Sequence, residues 1–295
     1  MQHRNPEPQR RILRSVNVFI SADIEGITGQ VSWSQCGTQS SDHYDYAFSR
    51  RMMTHDVNAA IRGARAAGAT RILVKDSHNN SKNLLIDELE PGSELISGHG
   101  SGIDGMMEGI DDSFACALLV GYHAMAGTEA GIMEHTYTGG VHHLWINDQP
   151  AGEIGMSAGV AGRYGVPIAM ISSDEAGCRE AAALLPGIAT AVVKYGLGRY
   201  MGRLLHPTET APLIESAARE GVAKAGDLQP WRPGDPCRFK IEFNRSEEAD
   251  FASRHPQARR LDAYTIETEG SNYEAAHQLA LNIIAFSSNG IRSQN

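Results

Sequence analysis

The chain has 295 residues, enough for one large domain or two smaller ones with an ample core. Its 41% hydrophobic and 21% charged residues fit a soluble globular protein, and no apolar run approaches the roughly 20 residues needed to span a bilayer, so no membrane partner is expected. A formal net charge of −9 argues against the Lys/Arg surfaces that neutralise phosphates, so nucleic acid is not an expected partner either.

Met1 to Ser15 is polar, basic and Pro-containing. It lacks the apolar segment of a secretory signal and is expected to be a flexible tail, with Arg10, Arg11 and Arg14 in solvent. Val16 to Ile20 predicts a buried strand, followed at once by Ser21-Ala22-Asp23-Ile24-Glu25-Gly26. If strand geometry continues, Asp23 and Glu25 share a face, where two carboxylates repel unless a proton or cation lies between them. From Asp42 to Ala67 the spacing of Ala47, Val57, Ala60, Ile61 and Ala64 predicts a helix that stops at Gly68. Arg71 to Lys75 predicts a second strand, running into Asp76-Ser77-His78, and Ala115 to Val120 a third, running into Gly121-Tyr122-His123. His142 to Ile146 reads as a strand with His142 and His143 facing opposite ways, and Asn147 to Pro150 as a turn. A close-packed helix is expected from Glu153 to Tyr164, and a strand at Ile168 to Ile171. Asp174 then caps a helix that runs to Leu185, and Ala189 to Val193 forms another strand.

After Leu205 the texture changes. Pro207 to Ala225 predicts a helix, and Gln229 to Pro236, with Pro230, Pro233 and Pro236, a linker. Phe239 to Phe243 and Ala263 to Thr268 predict strands, and Ser271-Asn272-Tyr273-Glu274 a capping box opening a helix to Phe286. The expected fold class is α/β, a largely parallel central sheet with flanking helices plus a smaller C-terminal α+β domain. The expected division is a tail at 1–15, a metal-binding catalytic domain at 16–206 and the smaller domain at 207–295. Cys36, Cys116, Cys178 and Cys237 form no C-x-x-C pair, which fits a reducing cytoplasm, and Cys116 reads as a core residue.

Parallel sheets bind ligands beyond the carboxyl ends of their strands, where Asp23, His78 and His123 fall. With Glu25 and Glu153 these are ligand types that zinc accepts. In a two-metal arrangement Asp23 is placed to bridge, Glu25 and His78 complete one position, and His123 and Glu153 the other, with Asp76 as an acceptor orienting a ligand. Each residue alone has a plainer reading: Asp-x-Glu as a solvated turn, a strand-end His as a packing residue, Glu153 as a helix-dipole partner. The weight lies in their convergence at several strand ends. His135 is suited to general acid–base work or to donating to an oxyanion, or is an exposed loop histidine, with Glu134 as a neighbour that could orient it. His99, in Gly98-His99-Gly100-Ser101-Gly102, lies in no Walker motif, and Asp174-Glu175 reads as a helix cap.

Taken as a set, Ser21-Ala22-Asp23-Ile24-Glu25-Gly26, Asp76-Ser77-His78, Gly121-Tyr122-His123-Ala124, Met133-Glu134-His135 and Ile146 to Glu153 carry a resemblance. From about Val16 to near the C-terminus the chain resembles the zinc-dependent D-aminopeptidase family associated with bacterial dipeptide transport. The resemblance implies two zinc ions per subunit, with Asp23 bridging, Glu25 and His78 on one ion and His123 and Glu153 on the other. It implies that His135 is the catalytic histidine, and that the substrates are short peptides or amides with an N-terminal D-amino acid. It also implies a homo-oligomer, a decameric ring enclosing the sites. The tail before Val16 departs from the family pattern. Two other readings stand beside it: an amidohydrolase for a non-peptide amide using the same two metals, and a non-catalytic peptide-binding protein whose acids and histidines are structural.

Overall fold

The structure is a computed structural model that describes residues 16–37, 45–100 and 102–292. The expected N-terminal tail and the first residues of the helix predicted from Asp42 lie outside the described residues. In chain order, β1 (Val16–Ala22) leads through α1 (Tyr46–Ala66) to β2 (Ala69–Asp76) and the short β3 (Glu94–Ile96). Then come β4 (Cys116–Val120), the hairpin of β5 (Val141–Ile146) and β6 (Gln149–Pro150), and α2 (Glu153–Arg163). β7 (Ile168–Asp174), α3 (Glu175–Leu184), β8 (Ala189–Gly198) and β9 (Met201–Leu204) follow. The chain closes with α4 (Pro207–Lys224), β10 (Cys237–Phe243), α5 (Ser246–Ala252), β11 (Arg259–Arg260), β12 (Thr265–Gly270) and α6 (Tyr273–Arg292).

Seven strands form the central sheet in the order β3-β2-β1-β4-β7-β8-β9. All neighbours are parallel except β8 and β9, which pair as an antiparallel edge. β1 lies in the interior of the sheet, between β2 and β4, because Val18 to Ala22 is apolar or small on both faces and can be buried from both sides. Val18, Ile20 and Ala22 pack into a core shared with Met53, Val57 and Ala60 of α1 and Ile214 and Ala218 of α4. Phe19 points the other way, into a core shared with Ile154 of α2, Ala181 of α3, Phe239 of β10 and Ile283 of α6. The chain winds outward from β1 in both directions, so the crevice beyond the carboxyl ends of β1 and β4 is the topological switch point, where ligands bind in this class of sheet. Among the described residues no helix is long and apolar enough to cross a membrane.

A second, antiparallel sheet has the order β11-β12-β10-β5-β6. The two sheets do not divide the chain at residue 206. β5 and β6 belong to the second sheet, whereas α4 packs against α1, β7 and β8 of the first, because Ile214, Ala217, Ala218 and Val222 complete the core on that face. Asn147 and Asp148 turn the β5–β6 hairpin with φ of 47° and 66°, the left-handed pair that a tight hairpin needs. At α6 the cap is Asn272, not Ser271: its Oδ1 accepts from Ala275 N at 3.0 Å, and the helix starts one residue later than the capping-box pattern implies. The helix also runs beyond Phe286.

The strand ends at the switch point are tied together through the backbone. Asp23 N donates to Val120 O at 2.8 Å, Ser77 N to Ala22 O at 2.8 Å, and Gly26 N to Gly121 O at 2.7 Å. Gly26 is required sterically, since a Cβ there would lie 1.8 Å from Tyr122 O. The turn is also held from beneath by Lys194 of β8, which is fully buried and donates from Nζ to Glu25 O at 2.5 Å and Gln30 O at 2.8 Å. Lys194→Met keeps the length of the side chain but leaves both carbonyls buried without donors. It is expected to cost about 2 kcal/mol or more, which at this chain size is a melting point several degrees lower. Thermal unfolding of the variant measures this, and a melting point equal to wild type would show that the lysine does not hold the turn.

Candidate metal centre

β1 ends at Ala22, and Asp23 to Gly26 form a turn rather than more strand. The two acids therefore meet through the turn, not through strand alternation. His78 Nδ1 lies 3.3 Å from Asp23 Oδ1 and 3.2 Å from Glu25 Oε2. On the other side of Asp23, His123 Nε2 lies 3.5 Å from Asp23 Oδ2 and 3.4 Å from Glu153 Oε1. Glu153, the first residue of α2, also lies 3.7 Å from His135 Nε2, and its Oε1 accepts from Tyr137 N at 2.7 Å. All six residues singled out in the sequence thus share one cluster, with Asp23 between the His78 and His123 sides. A cavity of about 1340 Å³ opens onto it, lined by Asp23, Glu25, His78, His135 and Glu153, with Trp33 and Tyr137 in its walls. His99 lies in the cavity wall as well.

Each of the three imidazoles is aimed by a backbone carbonyl. His78 Nε2 donates to Cys36 O at 3.2 Å, His123 Nδ1 to Ala124 O at 3.0 Å, and His135 Nδ1 to Met133 O at 3.0 Å. A carbonyl only accepts, so each of these nitrogens carries the proton and the opposite nitrogen turns towards the acids. This is the arrangement by which metal-binding histidines are oriented. The His135 ring stacks on His123 with centroids 4.1 Å apart and meets Trp33 edge-on at 5.1 Å. The residues on either side, Met133 and Tyr137, hold left-handed φ of 57° and 62°, strain of the kind found at functional loops.

Asp76 orients no ligand ring. Its carboxylate accepts from Asn83 N, Leu84 N and Asn83 Nδ2 at 2.6, 2.8 and 2.7 Å and so fixes the loop that carries His78. Glu134 likewise does not orient His135: it accepts from Gly127 N at 2.6 Å and pairs with Arg199 at 3.3 Å. Asp174 caps α3 as expected, accepting from Gly177 N at 2.8 Å, and its other oxygen accepts from Ile132 N at 2.7 Å, anchoring the loop before His135. Lys194, Cys36 and Trp33 belong to the surroundings of the site without having been singled out. Only Lys194 carried a readable signal, an ionisable residue ending the apolar run of β8.

The cluster is electrostatically unbalanced. Burial, and then the charge of Glu25, push the Asp23 carboxyl up to about 7. Burial works to raise Glu25 too, but the charges of the neighbouring histidines, His78 first, outweigh it and hold this carboxyl well below the ordinary range. Burial opposes the protonated forms of His78 and His123, yet Glu25 and Glu153 respectively hold them well above 6.5. His135 moves the other way, lowered by burial and then by the charge on His123. Asp23 Oδ2, Glu25 Oε2 and His123 Nε2 remain buried with no hydrogen-bond partner. Orphaned oxygens and an imidazole nitrogen converging in this way fit a divalent cation, whose charge satisfies what protons and hydrogen bonds leave open.

Comparison with known proteins agrees with this chemistry. The sequence profile of the D-aminopeptidase family matches residues 16–281. A D-aminopeptidase of Bacillus subtilis (strain 168) is 34% identical over 267 residues, covering 90% of this chain and 96% of the relative. Among solved structures, the Zn-dependent D-aminopeptidase DppA from Bacillus subtilis, described as a self-compartmentalizing protease, superposes with a TM-score of 0.88 at 32% identity, over 92% of this chain and 98% of that one.

Without metal, the buried groups make stability depend on pH. His78 and His123 hold protons more tightly folded than unfolded, so their contribution is complete below about pH 6.5 and is lost as pH rises through their raised values. Asp23 has the same sign: its contribution is present below 3.8 and is lost as pH rises through about 7. Metal-free protein is therefore expected to melt at progressively lower temperature from pH 6.5 towards pH 8, above which the buried Lys194, lowered to about 8, acts with the opposite sign, and a bound dication to remove that slope by replacing the protons. Scanning calorimetry with and without zinc across this range measures it. Parallel curves would show that protons and metal do not compete here.

Proposed function

Because the chain belongs to the D-aminopeptidase family, we propose that it is a zinc-dependent aminopeptidase releasing N-terminal D-amino acids from short peptides or amides. The observation that carries the reading is the convergence of three buried, unpartnered atoms, Asp23 Oδ2, Glu25 Oε2 and His123 Nε2, beside a cavity large enough for a short peptide. Two zinc ions per chain would be held by Asp23 between them, Glu25 and His78 on one side, and His123 and Glu153 on the other. Zinc there supplies a Lewis acid for the scissile carbonyl and makes water acidic enough to attack near neutral pH.

The remaining work falls to the chain's own residues. The His135 ring is fixed by Met133 O, His123 and Trp33, and its lowered pKa leaves it neutral at pH 7 with the Nε2 lone pair turned towards Glu153. It therefore accepts a proton first and, once protonated, donates at the same nitrogen to the developing oxyanion or to the leaving amine. Buried carboxylates in the cavity floor favour a substrate bearing a free α-ammonium group, which restricts cleavage to chain ends.

The assembly belongs to the same proposal: a homo-oligomer, a decameric ring that encloses the sites. The β8–β9 hairpin supports it, since Leu197, Tyr200, Met201 and Leu204 project from the sheet edge with 41% to 64% of their surface exposed. Four buried, unpaired cysteines fit residence in the cytoplasm.

Elemental analysis and a panel of D- and L-aminoacyl amides, peptides and N-acylated amides test the function together. Two zinc ions per chain, cleavage confined to free D-termini, and loss of turnover on chelation with recovery on adding zinc are expected. Asp23→Ala should lose both ions, whereas Glu25→Ala keeps the one at His123 and Glu153. His135→Ala should keep both and lower kcat by about 10²–10⁴. Full activity after rigorous removal of metal would overturn the reading, and preference for N-acylated amides would favour an amidohydrolase.

A further inference from the structure

We propose that Cys36 supplies a thiolate to the metal position formed by Glu25 and His78, so that the two metal positions differ in donor chemistry, one bearing sulfur and the other only oxygen and nitrogen. This rests on the two-metal reading above and adds a residue that no part of it assigns.

The Cys36 Sγ, a Glu25 carboxylate oxygen and a His78 ring nitrogen all lie within 4.8 Å of one another, close enough for a single ion to draw on all three. Cys36 is 1% exposed, so its sulfur is not placed to meet solvent. Independently, Glu25 Oε2 is a buried atom with no hydrogen-bond partner, aimed into the same space. The residue also acts twice: its carbonyl accepts a hydrogen bond from His78 Nε2 at 3.2 Å and so turns Nδ1 towards Asp23 and Glu25, while its side chain projects to the same group. One residue thereby fixes a ring ligand and offers a donor.

The sulfur is also held in place. Gln30 Nε2 donates to Cys36 Sγ at 2.9 Å, and Gln30 is itself anchored by Ser49 Oγ on its Oε1 at 2.6 Å and by Lys194 Nζ on its carbonyl at 2.8 Å. An amide N–H directed at sulfur suits an acceptor, as a metal-bound thiolate is, and the thiol's long contact to Ser32 O at 3.9 Å is the one it would give up. All four cysteines pack among apolar core residues, and among the described residues Cys36 is the cysteine that also falls within a group of this kind.

On metal entry the S–H bond breaks, its proton leaves to solvent, and the sulfur electron pair forms the bond to the ion; nothing is oxidised or reduced. A sulfur donor tilts this position towards zinc, cobalt or cadmium and away from magnesium or manganese, while the His123–Glu153 position keeps no such preference.

The test uses the metal-loaded wild-type chain and does not rely on activity. Zinc X-ray absorption should show a sulfur shell at about 2.3 Å, and cobalt(II) loading of metal-free protein should give a near-ultraviolet thiolate-to-cobalt band. Cys36→Ser should lose both signals while retaining the His123–Glu153 ion, and should bind its other zinc at least about 10-fold more weakly. Two bound ions with neither a sulfur shell nor the cobalt band in wild type would overturn the assignment of Cys36 and leave the two-metal reading intact. Failure of the wild-type chain to bind metal at all would overturn the two-metal reading and this inference with it. If Cys36→Ser does not fold, the wild-type spectra alone decide.

Discussion

Two carboxylates one residue apart, Asp23 and Glu25, lie almost wholly out of water at the mouth of the central sheet. Burying them together is costly, because each is desolvated and each repels the other. Much of the surrounding architecture reads as a response to that cost. The Asp23–Gly26 turn is bound to β4 through backbone hydrogen bonds, and Gly26 and Gly121 allow an approach that any side chain would block. Lys194 reaches beneath the turn and brings a cation to its carbonyls, with burial lowering its own pKa to about 8. His78 and His123, each fixed from behind by a main-chain carbonyl, supply the remaining positive character. Asp23 and Glu25 each still present a buried oxygen that lacks a hydrogen-bond partner, with the imidazoles of His123 and His78 the nearest groups at 3.5 and 3.2 Å.

The parts of this arrangement that were legible in the sequence share one signature, an apolar run that stops abruptly at an ionisable residue. Strand ends in a parallel sheet are placed in space by the sheet itself, so reading β1, β2 and β4 correctly also brings Asp23, His78 and His123 together. Glu153 was legible as the start of a helix, and the helix axis delivers it to the same crevice. The same signature occurs at Lys194, where Val192 and Val193 run into a lysine, but its partners are the carbonyls of Glu25 and Gln30, more than 160 positions away. Main-chain acceptors leave no trace in side-chain chemistry. Trp33 opens a single 3₁₀ turn, Trp33–Gln35, that ends at Cys36, a segment too short for hydrophobic periodicity to locate either residue.

Roles failed to be legible where positions did not. Asp76 and Glu134 were rightly placed near the site, yet each turned out to serve backbone N–H groups rather than an imidazole. A carboxylate beside a loop has several donors within reach, and a residue's identity does not say which it takes. The layout of the two sheets was hidden for a related reason. The β5–β6 hairpin reads locally like any strand and turn, and its membership of the second sheet is decided by pairing with β10, nearly a hundred residues later. α4 carries an ordinary amphipathic pattern that could have faced either sheet; the small residues Ala217, Ala218 and Gly221 fit it against α1 and β7.

The interleaving has a functional consequence. Asp23, Glu25, His78 and His123 stand at the strand ends of the first sheet, whereas the cavity above them is walled in part by Tyr137 and Thr138 from the loop leading into β5 and Leu281 and Asn282 from α6, both outside that sheet, and by Arg199 and Tyr200 at the turn of its β8–β9 edge hairpin. Reaction chemistry and substrate shape are therefore carried by different parts of the fold. Donor positions tolerate little movement, because a few tenths of an ångström separate a satisfied ligand from an orphaned one. The walls are free of that constraint and can vary in bulk and charge without disturbing the cluster. Discrimination between mirror-image substrates depends on three or more contacts around one carbon. Under the proposed function the cluster of acids and histidines is taken up with the carbonyl and the amine, so the contacts that tell one hand from the other would have to come from those walls.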